Sequence, residues 1–191
     1  MLNNLANKKI LLGSKSPRRQ ELLRGLGISF EVVSIDCDET YPSELKKEAI
    51  TNFISEAKAK AYPNLQKNEV LITADTLVGL DGLILGKPQD EQAAFDMLQS
   101  LAGKAHQVYT SVSLRTTEKL VTFSDRTDVF FDEMSEEEIN FYVKNFHPMD
   151  KAGAYGIQDW LGYTKVTKID GCYYNVMGLP LQKLYRTLQK L

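Results

Sequence analysis

The chain has 191 residues, of which 43% are hydrophobic and 25% charged, and a formal net charge of −2. That length supports one substantial core and is short for two full domains, and the composition excludes a disordered polymer. The charge balance excludes a general nucleic-acid binder, because neutralising a duplex needs a clear excess of Lys and Arg; any anion site has to be local.

Met1 to Lys9 lacks an apolar run and a small-residue cleavage site, so no secretory signal is expected. No stretch approaches the roughly 20 apolar residues of a spanning helix. The expected location is therefore the cytoplasm, with no membrane partner. Lys9 to Leu12 reads as a short strand that stops at Gly13-Ser14-Lys15, and Ser16-Pro17 then opens a helix with Leu22, Leu23 and Leu26 on one face. Ser16 suits the N-cap, Pro17 the first helical position, and Gly25 and Gly27 end the helix. Phe30 to Ile35 is expected as a second strand, and Ser43 to Tyr62 as a long amphipathic helix carrying Ile50, Phe53, Ile54, Ala57 and Ala61. Val70 to Ala74 reads as a buried strand ending at Asp75, and Leu77 to Leu80 with Leu83 to Leu85 as a hairpin turning at Asp81-Gly82. A helix follows from about Asp90 to Leu101, then two or three strands between Val108 and Phe131, then a helix through Val143 with Ser135 and Glu138 as its capping box. The last third predicts strands at Val166 to Ile169 and Tyr173 to Val176, joined at Asp170-Gly171, and a closing helix from about Pro180. A strand-loop-helix opening mixed with hairpins predicts an α/β fold with a mixed, partly antiparallel sheet, and argues against a helical bundle.

Cys37 and Cys172 are the only cysteines and lack zinc-site spacing; both read as free thiols. With His106 and His147 the only histidines, a metal would have to be held by carboxylates and phosphates, which suits a hard ion such as magnesium or manganese. His106 reads as a satisfied strand residue and Trp160 as packing.

The segment Gly13 to Arg19 puts two hydroxyls and the cations Lys15, Arg18 and Arg19 at a helix N-terminus. Backbone N–H groups and the helix dipole there favour an anion, and cations would oppose the dipole unless an anion sat between. A capped surface helix with solvated arginines is the equally open reading. Asp75 at a strand tip could hold a metal or take a proton from water, or simply cap a turn. Glu39 and Asp38 are candidate partners for the same ion, against the plain alternative of a solvated acidic loop. Lys58 and Lys60 are two apart and cannot share a helix face, so one can turn inward while the other is solvated. Gly86-Lys87-Pro88 sets a lysine in a loop after a strand, where it suits a phosphate contact or plain solvent. In Lys151 to Gln158 small residues allow close backbone approach, and the Gln158 amide can pair a donor and an acceptor on a base edge.

In this order, Ser14-Lys15-Ser16-Pro17-Arg18-Arg19 with Glu21-Leu22-Leu23, Lys58-Ala59, Ala74-Asp75-Thr76, Gly86-Lys87-Pro88, His106 to Thr110, Lys151 to Gln158 and Gly178-Leu179-Pro180-Leu181 resemble the Maf-like family of nucleotide pyrophosphatases across nearly the whole chain. The resemblance implies a single domain over 1–191, bilobed around a central cleft, on an elongated sheet like that of inosine triphosphate pyrophosphatases. It implies hydrolysis of a nucleoside triphosphate to monophosphate and pyrophosphate with a divalent cation, in a homodimer. Asp75 matches the proton acceptor; Ser14, Arg19, Glu39, Lys58 and Lys87 match the polar residues lining the cleft. Arg18, Thr76 and Gln158 match the positions that set the dTTP and UTP branch apart from the one acting on 7-methyl-GTP. Glu39 and Asp75 are the expected metal ligands. Departures from the common pattern fall at Ile54-Ser55 and at Asp159-Trp160. The rival expectations are a nucleotide-binding regulator of cell division without turnover, and a 7-methyl-GTP pyrophosphatase.

Overall fold

The computed structural model describes residues 2–191. Its elements are β1 (Lys9–Leu12), α1 (Pro17–Gly25), β2 (Phe30–Val32), α2 (Glu48–Ala61), β3 (Glu69–Leu80), β4 (Leu83–Leu85), α3 (Glu91–Leu101), β5 (Ala105–Arg115), β6 (Leu120–Phe131), α4 (Glu136–Phe146), α5 (Trp160–Thr164), β7 (Val166–Asp170), α6 (Tyr173–Val176) and α7 (Leu181–Leu188). The fold is α/β: an open seven-stranded sheet in the order β2-β1-β3-β5-β6-β7, with β4 paired to β3, flanked by helices. The sheet is mixed. β1 pairs in parallel with β2 and β3, while β3–β4 and β6–β7 are antiparallel. Parallel strands buried on both faces read as continuous apolar runs, and Ile10 to Leu12 and Val70 to Ile72 are such runs. No helix among the described residues is long and apolar enough to cross a membrane.

The chain divides into two compact units, one of Met1–Asp75, Thr110–Asp125 and Gly178–Leu191, the other of Thr76–Tyr109 and Arg126–Met177. In the first, Leu11, Leu65 and Leu71 form a core cluster with Val33, Ile35 and Tyr62 packed against it. α2 is fixed by a ladder of buried hydroxyls: Thr51 Oγ1 lies 2.6 Å from Ser111 Oγ, Ser55 Oγ lies 2.9 Å from Ser113 Oγ, and Thr73 Oγ1 donates to the Ser55 carbonyl at 2.7 Å. Hydroxyls paired this way satisfy themselves and set the rotation of the helix, since each must face its partner. Arg115 closes the C-terminal end of the same helix, its Nη1 donating to the carbonyls of Ala59 at 2.6 Å and Tyr62 at 2.8 Å. These are the carbonyls a helix end leaves unpaired, at the negative end of its dipole. Arg115→Met is expected to lower stability by roughly 2 kcal/mol, measured as a fall in the urea midpoint at unchanged slope.

In the second unit α3 packs on α4, burying Leu98, Leu101, Ile139, Tyr142 and Val143. His106 on β5 is fully buried, with Nε2 2.7 Å from the Tyr155 hydroxyl and its ring edge-on to Phe131 at 4.8 Å. It is a strand histidine with one satisfied hydrogen bond, as expected, while Nδ1 is buried and has no hydrogen-bond partner among the described residues. Burial pushes its pKa down from 6.5 to about 4, with Asp128 opposing. The unfolded chain therefore binds the proton first, and stability is lost as the pH falls from the unfolded value towards the folded one. Between pH 7 and pH 5 the loss from this residue should be about 2 kcal/mol. Urea unfolding at the two pH values checks it: the pH dependence should shrink by that amount in His106→Gln.

Four expectations are corrected. Asp75 does not end a strand, because β3 continues unbroken from Glu69 to Leu80 and turns at Asp81-Gly82 into β4. Tyr173–Val176 is a helical turn rather than a strand. Asn175 there is buried and donates to the Val108 carbonyl and to Thr127 Oγ1, both at 3.0 Å, while Thr127 Oγ1 also exchanges hydrogen bonds with the Cys172 backbone. Four residues are too few for periodicity to separate strand from helix, and these side-chain bonds decide it. The second strand stops at Val32, and the long helix starts at Glu48 rather than Ser43.

Candidate active site

β1 leads through α1 to β2 on one side of it, and the chain then returns through α2 to β3 on the other side. Such a reversal of strand order is where open α/β sheets bind ligands, beyond the carboxyl ends of the strands. β1 ends at Leu12, opposite Ile72 of β3, and the Gly13 N–H extends the ladder to the Ile72 carbonyl at 2.8 Å. Beyond that point β3 has no β1 partner. Asp75 thus lies past the end of its parallel neighbour although it lies inside its own strand.

Gly13 lies close under two side chains: a Cβ there would lie 2.4 Å from Ile35 Cδ1 and 2.9 Å from Thr73 Cγ2, which would have to shift. Ser16 holds the N-cap position of α1, yet its side chain caps nothing. Instead Ser14 Oγ accepts from the Ser16 N–H and from Arg19 Nη1, each at 3.3 Å. A hydroxyl that accepts twice still has its own hydrogen to donate, which suits a phosphate oxygen. Arg19 donates from Nε to the Gly178 carbonyl and from Nη1 to the Ala74 carbonyl, both at 2.9 Å. Burial lowers its pKa, with Arg18 acting in the same direction and Asp75 and Glu39 opposing.

Lys58 completes the group. The hydroxyl ladder seats Ser55, and Lys58, one turn on, points to β3, where its Nζ lies 2.9 Å from Asp75 Oδ1 and 3.1 Å from Glu39 Oε1. The side chains of Lys58 and Asp75 are only 15% and 14% exposed, so this pair is little screened by salt. Lys60 turns to solvent and pairs with Glu56. Asp38 serves its own loop by accepting from the Thr40 N–H at 2.9 Å, and the Thr40 hydrogen bonds hold its carboxyl below the usual range. Ser14, Arg18, Arg19, Glu39, Lys58 and Asp75 therefore belong to one unit, where ion pairs tie Asp75, Lys58 and Glu39 together and a hydrogen bond ties Arg19 to Ser14.

Thr76, Lys87 and Gln158 belong to the second unit. Thr76 is half-buried on β3, and Lys87 is exposed in the loop between β4 and α3. The Gly153 N–H donates to the Gly86 carbonyl at 3.0 Å, so the Lys87 loop and the segment leading to Gln158 are tied together. Gln158 Oε1 is buried and accepts no hydrogen bond among the described residues. Sequence reading gave no role to the Gly178 carbonyl or to Arg115. A backbone acceptor leaves no mark on residue type, and a strand arginine gives no sign of which helix end it reaches.

Two carboxylates within 3.1 Å of one ammonium form a hard-oxygen pair already arranged around positive charge. That donor set fits magnesium or manganese in kind. Among the described residues no cluster of three or more His, Cys, Asp and Glu side chains stands ready to hold an ion. Magnesium is commonly held by one or two carboxylates together with substrate phosphates and water, so the pair suits an ion that arrives with its nucleotide.

A profile of the family described as Maf-like protein matches residues 9–191. The chain belongs to that family. Among relatives of this Maf-like protein, one from Bacteroides thetaiotaomicron is 53% identical over 193 residues, and one from Phocaeicola vulgatus is 52% identical; in both, all of each chain is covered. One from Flavobacterium johnsoniae is 46% identical over 188 residues, covering 98% of this chain and 97% of its own. Each of the three is named a dTTP/UTP pyrophosphatase.

Proposed function

We propose that this Maf-like protein is a nucleoside triphosphate pyrophosphatase that hydrolyses dTTP and UTP to the monophosphate and pyrophosphate. The observation that carries the proposal is the Asp75–Lys58–Glu39 cluster beside Arg19, at the strand-order reversal of a chain about half identical to enzymes of that name.

Asp75 is the general base. Lys58 engages Oδ1 and fixes the carboxylate, and Oδ2 takes the proton of the water that attacks the α-phosphorus. The bond to the bridging oxygen breaks, and pyrophosphate leaves. Ser14, Arg18, Arg19 and Lys58 supply donors and positive charge to phosphate oxygens, and Lys87 is assigned the same role by resemblance. Their placement before substrate arrives is the main source of rate, because preset dipoles need no reorganisation as charge develops. Glu39 and Asp75 would hold the divalent ion, which supplies charge neutralisation on the triphosphate and acidifies water. Arg18, Thr76 and Gln158 select the base. The cytoplasm as compartment is carried forward from the sequence reading, and a homodimer as working form from the resemblance.

A substrate panel with magnesium or manganese tests the reading. Pyrophosphate release should be fastest from dTTP and UTP. A preference for 7-methyl-GTP would overturn the roles given to Arg18, Thr76 and Gln158, and tight nucleotide binding without any release would make the chain a sensor.

A further inference from the structure

Gln158 sits in a turn, Gly156 to Asp159, closed by the Asp159 N–H donating to the Gly156 carbonyl at 3.0 Å. Both ends of that turn are held by one atom. The Tyr142 hydroxyl oxygen accepts from the Gly156 N–H at 3.0 Å, and its O–H donates to Asp159 Oδ2, also at 3.0 Å. Tyr142 is fully buried on α4, its ring stacked on Phe146 with centroids 5.0 Å apart, so the phenol is a fixed post.

Asp159 departs from ordinary behaviour in a way that points to this contact. It occupies the N-cap of α5, where aspartate usually accepts from the helix's own first N–H groups, yet its side chain makes no capping bond. The carboxylate is turned instead to Tyr142, with Lys151 Nζ 3.8 Å from the same oxygen. Gly156 is fitted to the arrangement: a Cβ there would lie 2.4 Å from Asp159 Oδ2 and 2.9 Å from Gln158 Nε2. Between the two anchored residues, the Gln158 Oε1 acceptor is buried without a donor among the described residues. Asn52 Oδ1 and Asn175 Oδ1 are left the same way, but Gln158 Oε1 is the one held between two anchored residues of a turn, where a ligand donor would complete it. Uracil and thymine offer one, since their N3–H is a donor beside the O4 acceptor, matching a carboxamide's acceptor and donor; cytosine reverses both groups.

We propose that Tyr142 and Asp159 are positioning residues for base selection: one buried phenol oxygen holds both flanks of the Gln158 turn and so aims the amide at the N3–H and O4 edge of uracil and thymine. This rests on the proposed pyrophosphatase activity. Neither residue touches the reacting atoms, and what they set is which base is accepted.

The test compares kcat/KM for UTP and CTP in the full chain, for the parent, Tyr142→Phe, Asp159→Ala, and each of these combined with Gln158→Ala. Each single variant should lower the preference for UTP over CTP by about tenfold, through a higher KM for UTP with kcat for UTP changed far less. With Gln158→Ala already present, neither change should alter the preference further. If Tyr142→Phe does not fold, Asp159→Ala at the half-buried position carries the comparison. An unchanged preference in the folded variants, equal losses for both nucleotides, or an effect that persists without Gln158 overturns the clamp while the activity stands. A parent that releases no pyrophosphate from UTP or dTTP overturns the activity itself, and the clamp's role with it.

Discussion

Asp75→Asn is expected to lower kcat for dTTP by roughly 10²–10⁴, the usual worth of a general base, with the fold intact. Asn is isosteric and still offers an oxygen to Lys58 Nζ, now 2.9 Å from Oδ1, so the ladder that seats α2 and the Arg19 bonds need not move. What is lost is the basic oxygen and one negative charge beside Lys58 and Glu39. Single-turnover kinetics together with a thermal melt measure the two sides of this expectation. Activity within a few-fold of the parent at an unchanged melt would show that Asp75 is not the base.

Arg19→Met should act on stability and rate together. The guanidinium joins three stretches of chain by donating to the Ala74 and Gly178 carbonyls and to Ser14 Oγ. Methionine fills the space but leaves those acceptors to find water, at a cost of roughly 3 kcal/mol. Loss of preset charge at the phosphates should lower kcat/KM by roughly 10²–10³ in addition. Arg19→Lys separates the contributions. A lysine restores the charge and cannot reproduce the fork that reaches two carbonyls in different directions, so it should recover part of the rate and little of the stability. Full recovery of the urea midpoint by lysine would mean that the bonds to Gly178 and Ala74 contribute little.

The fold class was legible because its signals are local. The apolar runs of β1 and β3, the Asp81-Gly82 turn and the Ser135–Glu138 capping box each depend on a few adjacent residues, and the capping box forms with both of its hydrogen bonds. Tyr173–Val176 was misread because its conformation is set by Asn175 reaching Val108 and Thr127, partners 67 and 48 residues away in sequence. Asp75 was placed at a strand tip for a related reason. The end of the parallel pairing is set by the length of β1, and the sequence of β3 carries no mark of where its neighbour stops.

At the site, residue types indicated which groups could do chemistry and left their use open. Lys58 and Lys60 could not be told apart by helical spacing, and the burial of Ser55 on the face toward Ser113 decides between them. The same holds for Asp38 and Glu39, one used by its own loop and the other by Lys58. Ser16 reads as a cap by position, but the working acceptor is Ser14, because the loop turns its hydroxyl towards the Ser16 N–H and Arg19.

Phosphorus NMR of the products formed from dTTP by the purified chain with magnesium tests the assignment most directly. Equal amounts of dTMP and pyrophosphate are expected, with the signals of dTDP and inorganic phosphate absent. Appearance of dTDP with phosphate would place the cut at the β–γ bond, and with it the attacking water and the Asp75 base at the wrong phosphorus.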